Sequence, residues 1–175
     1  MLSRRAVLLV GLVFSLGCDS RSKPAAPSGP RRETLEGVEW VELFPNGADD
    51  ASPLVVAIHG RGDAPENWID TWSKFPVRAE IALPRAFDRS GSGWSWFEFR
   101  DGMTDEQFGA EVGAAEARLW PAVAKLAHGR RVIITGFSQG AFFAYAMAAR
   151  HPDEVVASFP VSGSCPGPLL PKNKA

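Results

Sequence analysis

The chain has 175 residues, 45% of them hydrophobic and 22% charged, with a formal net charge of −1. That length suits one domain, the composition is that of a globular protein, and the charge balance leaves no basic field to draw in nucleic acid. No Cys/His cluster has zinc-ligand spacing and no G-x-x-x-x-G-K-[ST] phosphate loop occurs, so no metal and no organic cofactor is expected.

Residues 1–18 read as an export signal. Arg4 and Arg5 precede an apolar run from Ala6 to Leu16, and small residues lead to Cys18. This is the layout of a secretory leader. The run is about half of the ~20 residues that a membrane-spanning helix needs. "SRRAVLL" is similar to a twin-arginine motif. "SLGC" is similar to a bacterial lipoprotein box, with Ser15 where such boxes favour leucine. Cys18 is thus the expected lipidation site, anchoring an exported protein to the membrane of a bacterial cell envelope or periplasm. Cys165 would then have no intrachain partner. Residues 19–36, rich in Pro, Ser and charge, read as a flexible tether, and residues 37–175 as the folded domain.

Within that domain, Val38 to Phe44 alternates apolar and polar residues, as a half-buried strand does. Leu54 to Ile58 is a continuous apolar run ending in His59-Gly60-Arg61-Gly62-Asp63, which fits a strand buried on both faces. A short helix is expected over Pro65 to Trp72 and a strand over Arg78 to Leu83. A loop with an aromatic cluster follows, holding Trp94, Trp96 and Phe97. Thr104 to Ala127 reads as a long helix opened by a Thr104/Gln107 capping box, with Pro121 expected to kink or restart it. Then come a strand over Arg131 to Thr135, a helix over Ser138 to Arg150 and a strand over Val155 to Val161. Alternation of strands and helices predicts an α/β fold, its mostly parallel sheet covered by helices on both faces.

Two loops carry the chemical signal. "HGRGD" and "GFSQG" each follow a buried strand, so both project from the carboxyl end of the sheet. G-x-S-x-G between a strand and a helix is a nucleophile elbow, in which a tight turn holds the serine hydroxyl out from the sheet. Gly136 and Gly140 are needed there because side chains would collide with the neighbouring strand and helix. The N-terminus of the following helix directs N–H groups at a developing oxyanion.

"LVVAIHGRGD", "SWFEF", "RVIITGFSQGAFFAYAMAARHPDEVVA" and "FPVSGSCP" together resemble the phospholipase/carboxylesterase (acyl-protein thioesterase-like) family of α/β-hydrolases. The resemblance implies an α/β-hydrolase fold acting on a small carboxylic ester or thioester. It implies that Ser138 is the nucleophile, that the N–H groups of Arg61 and Gln139 form the oxyanion hole, and that His59 and Gly60 shape the loop. It further implies that Trp94, Trp96 and Phe97 flank the acyl pocket. Such triads run Ser, Asp, His along the chain, and only 37 residues follow Ser138. Neither His59, His128, His151 nor Asp153 suits the base or acid, so both are expected beyond this sequence, with the C-terminal strands absent. A peptidase or a feruloyl- or polyhydroxybutyrate-type esterase shares the elbow. A non-catalytic exported lipoprotein of the same fold, binding a ligand or partner, is the alternative from another class.

Overall fold

The computed structural model describes residues 29–170. The leader, Cys18 and residues 19–28 of the expected tether lie outside the described residues. The domain begins earlier than its sequence indicates. Arg31–Leu35 forms a strand, β1, which pairs antiparallel with β2 (Val38–Leu43). Glu36 and Gly37 join them with φ of 50° and 76°, the two positive values that a tight hairpin turn requires. Residues 31–36 therefore belong to the sheet and not to a tether. Their charged composition is that of an exposed edge strand, whose pairing comes from backbone groups.

The remaining strands are β3 (Leu54–Ile58), β4 (Glu80–Pro84), β5 (Asp88–Ser90), β6 (Gly93–Ser95), β7 (Val132–Phe137) and β8 (Val155–Val161). Six form one sheet in the order β1-β2-β4-β3-β7-β8, while β5 and β6 make a separate hairpin. The pairs β4–β3, β3–β7 and β7–β8 are parallel, and β1–β2 and β2–β4 antiparallel. At the β8 edge, Val156, Phe159 and Val161 are exposed.

Helices cover both faces, as expected. On one face a single 3-10 turn (Pro65–Trp68) and α1 (Ile69–Ser73) set Trp68, Ile69 and Trp72 against Val55, Ala57 and Ile81. On the other, α2 (Asp105–Ala127) and α3 (Gln139–Arg150) pack Val112, Leu119, Val123, Phe143 and Met147 on Leu54, Val56 and Ile134. Trp40 and Val38 face this second core and Val41 and Leu43 the first, so β2 is buried on both sides rather than half-buried. Among the described residues, no helix is long and apolar enough to cross a membrane.

α2 starts at the Thr104/Gln107 capping box and runs through Pro121 without interruption. Proline lacks only its own N–H and leaves the Ala117 carbonyl free. Burial of Leu119, Ala122 and Val123 on either side of Pro121 holds the helix together. The helix ends at His128 and Gly129, both with positive φ. Arg130 closes that end, donating to the Leu126, Ala127 and Ser52 carbonyls and, at 2.8 Å, to the buried Glu80 carboxylate.

Candidate active site

The parallel strands β3 and β7 end side by side, Ile58 opposite Gly136. The residues that follow them, 59–63 and 138–140, meet at the carboxyl end of the sheet. Ser138 takes φ 53° and ψ −114°, a backbone conformation that side chains rarely adopt. Its N–H donates to the Val161 carbonyl at 2.9 Å, and its own carbonyl accepts from Ala141 N–H. The turn is tight because glycines permit it. A Cβ on Gly136 would stand 2.1 Å from the Gly140 carbonyl oxygen, and one on Gly140 would stand 2.0 Å from that of Ile58. The strand, the turn and the first turn of α3 are thus in backbone contact, and the junction lifts the half-buried Ser138 out of the sheet.

Gly60 packs against the elbow, where an added Cβ would lie 3.3 Å from Ser138 Cβ. This brings Arg61 and Gln139 to the same place. Neither backbone N–H meets an acceptor among the described residues, so both are available to an oxyanion at the N-terminus of α3.

His59 is 1% exposed. Its Nδ1 lies 2.7 Å from the Gly60 carbonyl oxygen, and its Nε2 accepts the Ala86 N–H at 3.3 Å. A neutral ring with its proton on Nδ1 satisfies both contacts. Burial pushes the His59 pKa below its ordinary value, outweighing the Gly60 hydrogen bond and the charges of Asp63 and Glu66. His59 is a loop-shaping residue with both nitrogens engaged. Asp63 anchors the far end of that loop, accepting from Ala64 N–H, Asn67 Nδ2 and Trp68 Nε1, each at 2.7 Å. Burial alone would raise its pKa, and these donors hold it below the usual carboxylate range.

Gln139 does more than its backbone role implied. Its buried amide oxygen accepts from Trp96 N–H at 3.0 Å and Ser95 Oγ at 3.2 Å, while its Nε2 donates to the Phe97 carbonyl at 3.0 Å. One side chain thereby staples residues 95–97 to the elbow. The hairpin is tied to the first loop as well. Gly62 N–H donates to the Trp94 carbonyl and Trp94 N–H to the Asp63 carbonyl, and Gly93 passes so close that a Cβ would lie 2.3 Å from the Gly62 oxygen. An amide directly after Ser138 can give and take hydrogen bonds at once, and that was the available signal in the sequence.

The three aromatic residues expected at the acyl pocket separate. Trp96 is 1% exposed and packs on His59, Phe87 and Phe143, with Nε1 donating to the His59 carbonyl. Its ring is core and lines no open pocket. Trp94 lies between the guanidinium groups of Arg85 and Arg89, at 4.1 and 4.0 Å from its ring centre. Phe97 alone lines a cleft of about 370 Å³ next to the elbow, together with Arg61, Arg89, Ser95 and Phe99.

No histidine hydrogen-bonds Ser138 Oγ among the described residues. His151 follows α3 at the end opposite Ser138, about 18 Å away along its 12 residues. There it meets Glu116 Oε1 at 2.6 Å and stacks on Trp120. His128 ends α2, and Asp153 lies in the turn between α3 and β8.

The family model for Phospholipase/Carboxylesterase matches residues 43–174. No curated protein matches the sequence. Among solved structures, a carboxylesterase from Mesorhizobium loti is similar at 22% identity and TM-score 0.58, over 79% of this chain and 69% of its own. Esterase PE8 is similar at 23% identity and TM-score 0.51, over 69% and 70%. The Bacillus cereus carboxylesterase follows at 18% identity and TM-score 0.52, over 71% and 63%. The chain spans only 36% of a bacterial membrane phospholipase A of known structure, to which it is 23% identical over 72% of its own length at TM-score 0.48. At these identities the likeness to the two carboxylesterases and to esterase PE8 shows the fold alone.

Proposed function

This chain belongs to the phospholipase/carboxylesterase family of α/β-hydrolases, and from that premise we propose that it is a serine hydrolase cleaving small carboxylic esters or thioesters through an acyl-enzyme on Ser138. The observation that carries this reading is the strained Ser138 between β7 and α3, beside two unpaired N–H groups. Ser138 Oγ adds to the acyl carbonyl, and the resulting oxyanion accepts hydrogen bonds from the N–H groups of Arg61 and Gln139. Collapse releases the alcohol or thiol with a proton, and water then attacks the acyl-serine to free the acid. The group that takes the serine proton comes from outside residues 29–170. The engaged nitrogens of His59 and the distant positions of His128 and His151 support that assignment. The basic, apolar leader and Cys18 support a place in a bacterial cell envelope, tethered through lipid on Cys18.

A fluorophosphonate probe tests the nucleophile. Labelling of the Ser138 peptide, lost in Ser138→Ala, is the expected outcome. A folded, full-length product that takes no label would instead support the non-catalytic reading, a lipoprotein that binds a ligand or partner.

A further inference from the structure

The cleft beside the elbow differs in character from a pocket for an aliphatic acyl chain. Phe97 and Phe99 line it, but so do the charged residues Arg61, Asp88, Arg89 and Glu98. Arg61 follows Gly60, which touches Ser138, and Phe97 is held by Gln139. The cleft therefore shares Arg61 with the candidate site and lies beside the loop that packs against Ser138.

The arginines around it are paired unequally. Trp94 holds both Arg85 and Arg89 against its ring. Arg85 also has a carboxylate partner in Glu39. Among the described residues, Arg89 has the ring and no carboxylate, and Arg61 has no ion pair at all. A ring contact fixes the plane of a guanidinium while leaving its N–H fork free. Two acidic residues share the cleft. Glu98 lies 3.7 Å from Arg100 and is offset by it, whereas Asp88 has no cation paired with it. Among the described residues, the cleft thus presents two cations and one anion without an ion-pair partner.

We propose that this cleft is a subsite for an oxyanion group, a carboxylate or a phosphate, carried by the substrate next to its ester and held by the free fork of Arg89 with Arg61. The proposal rests on Ser138 being the nucleophile. It narrows the substrate class from small esters in general to esters that carry a negative charge a few bonds from the scissile carbonyl. Guanidinium forks match such groups with two parallel hydrogen bonds, and a pre-oriented fork loses less freedom on binding.

Binding to the full Ser138→Ala chain tests it without turnover. The probes are monomethyl succinate, ethyl phosphate and the neutral dimethyl succinate, titrated by calorimetry at low salt. At least one anion is expected to bind about tenfold more tightly than the diester, and the better of the two identifies the group. Arg89→Gln is expected to abolish the preference and Arg89→Lys, which keeps charge without the fork, to retain part of it. Arg61→Gln, which leaves the backbone N–H in place, is expected to weaken it independently. Equal or tighter binding of the diester, no measurable binding of either anion, or an undiminished preference in both Gln variants would overturn the subsite. Fluorophosphonate labelling reads Ser138 alone. A labelled serine without anion preference sinks only the subsite, and an anion preference without labelling sinks only the nucleophile.

Discussion

The two ends of the parallel strands are built on opposite principles. At the carboxyl end, order comes from backbone packed against backbone. Gly136, Gly140 and Gly93 have no room for a Cβ, and the buried polar groups, His59 and Gln139, are uncharged with their hydrogen bonds satisfied. At the amino end, order comes from buried charge. Glu80 and Glu42 are 1% and 0% exposed, paired with Arg130 and Arg31, and each keeps one carboxylate oxygen without a hydrogen bond. The first end tolerates backbone strain at Ser138, where a lifted side chain has a use. The second carries its cost as incomplete solvation of carboxylates, beside a cavity of about 200 Å³ lined by Arg31, Glu80 and Arg130. The comparison teaches that strain and unmet polarity mark different things, and only the strain points at chemistry.

Changing single residues at each end separates these costs. The largest effect is expected from Gly140→Ala, because the added Cβ meets the Ile58 carbonyl oxygen at 2.0 Å and only backbone could give way. A loss of more than about 4 kcal/mol in urea unfolding is expected; a change below 1 kcal/mol would mean that the elbow relaxes freely. A smaller, pH-dependent effect is expected at the other end. Burial raises the Glu80 pKa above its ordinary value, against the pull of Arg130. A raised folded pKa favours the protonated folded state, so this contribution is present at low pH and fades as pH rises through the folded pKa. Glu80→Gln should therefore gain stability relative to the parent between pH 4 and pH 7, seen in thermal melts. A constant difference across that range would show that Arg130 fully compensates the charge. The smallest effect is expected at Ser138 itself. Glycine tolerates φ 53° where alanine does not, so Ser138→Gly should be more stable than Ser138→Ala by about 1 kcal/mol. Equal stabilities would remove the claim that strain resides there.

Much of the carboxyl end was legible because its signals are local. Glycine spacing around Ser138, a β-branched run before it and an Ala-rich helix after it need no knowledge of distant residues. The two loops could be placed on one end by the parallel topology alone. Other features depend on the partner and so escaped notice. Arg31–Leu35 looks like a tether because its exposed side chains are charged, and its strand character lies in hydrogen bonds to β2. The family resemblance put Trp96 at the acyl pocket, whereas its backbone bond to Gln139, 43 positions away, accompanies a ring buried in the core. Pro121 broke a local rule and was overruled by packing on both sides. The buried glutamates gave no sign, since a carboxylate in a strand reads as a solvated residue until its arginine is located.

The pairing of β3 with β7 sets a timetable. Leu54 lies beside Val132, and the loop after Ile58 finds its place only against Ser138 and Gly140. As the chain emerges during synthesis, the central strand waits for most of the domain before its second neighbour exists. Chains rich in contacts so far apart in sequence fold more slowly than those built from local ones. The strained elbow needs residues 136–140 to have been synthesised, because Gly140 packs over the Ile58 carbonyl. Any helper that shields the apolar β3 in the meantime acts on a chain in which the elbow has not yet been made.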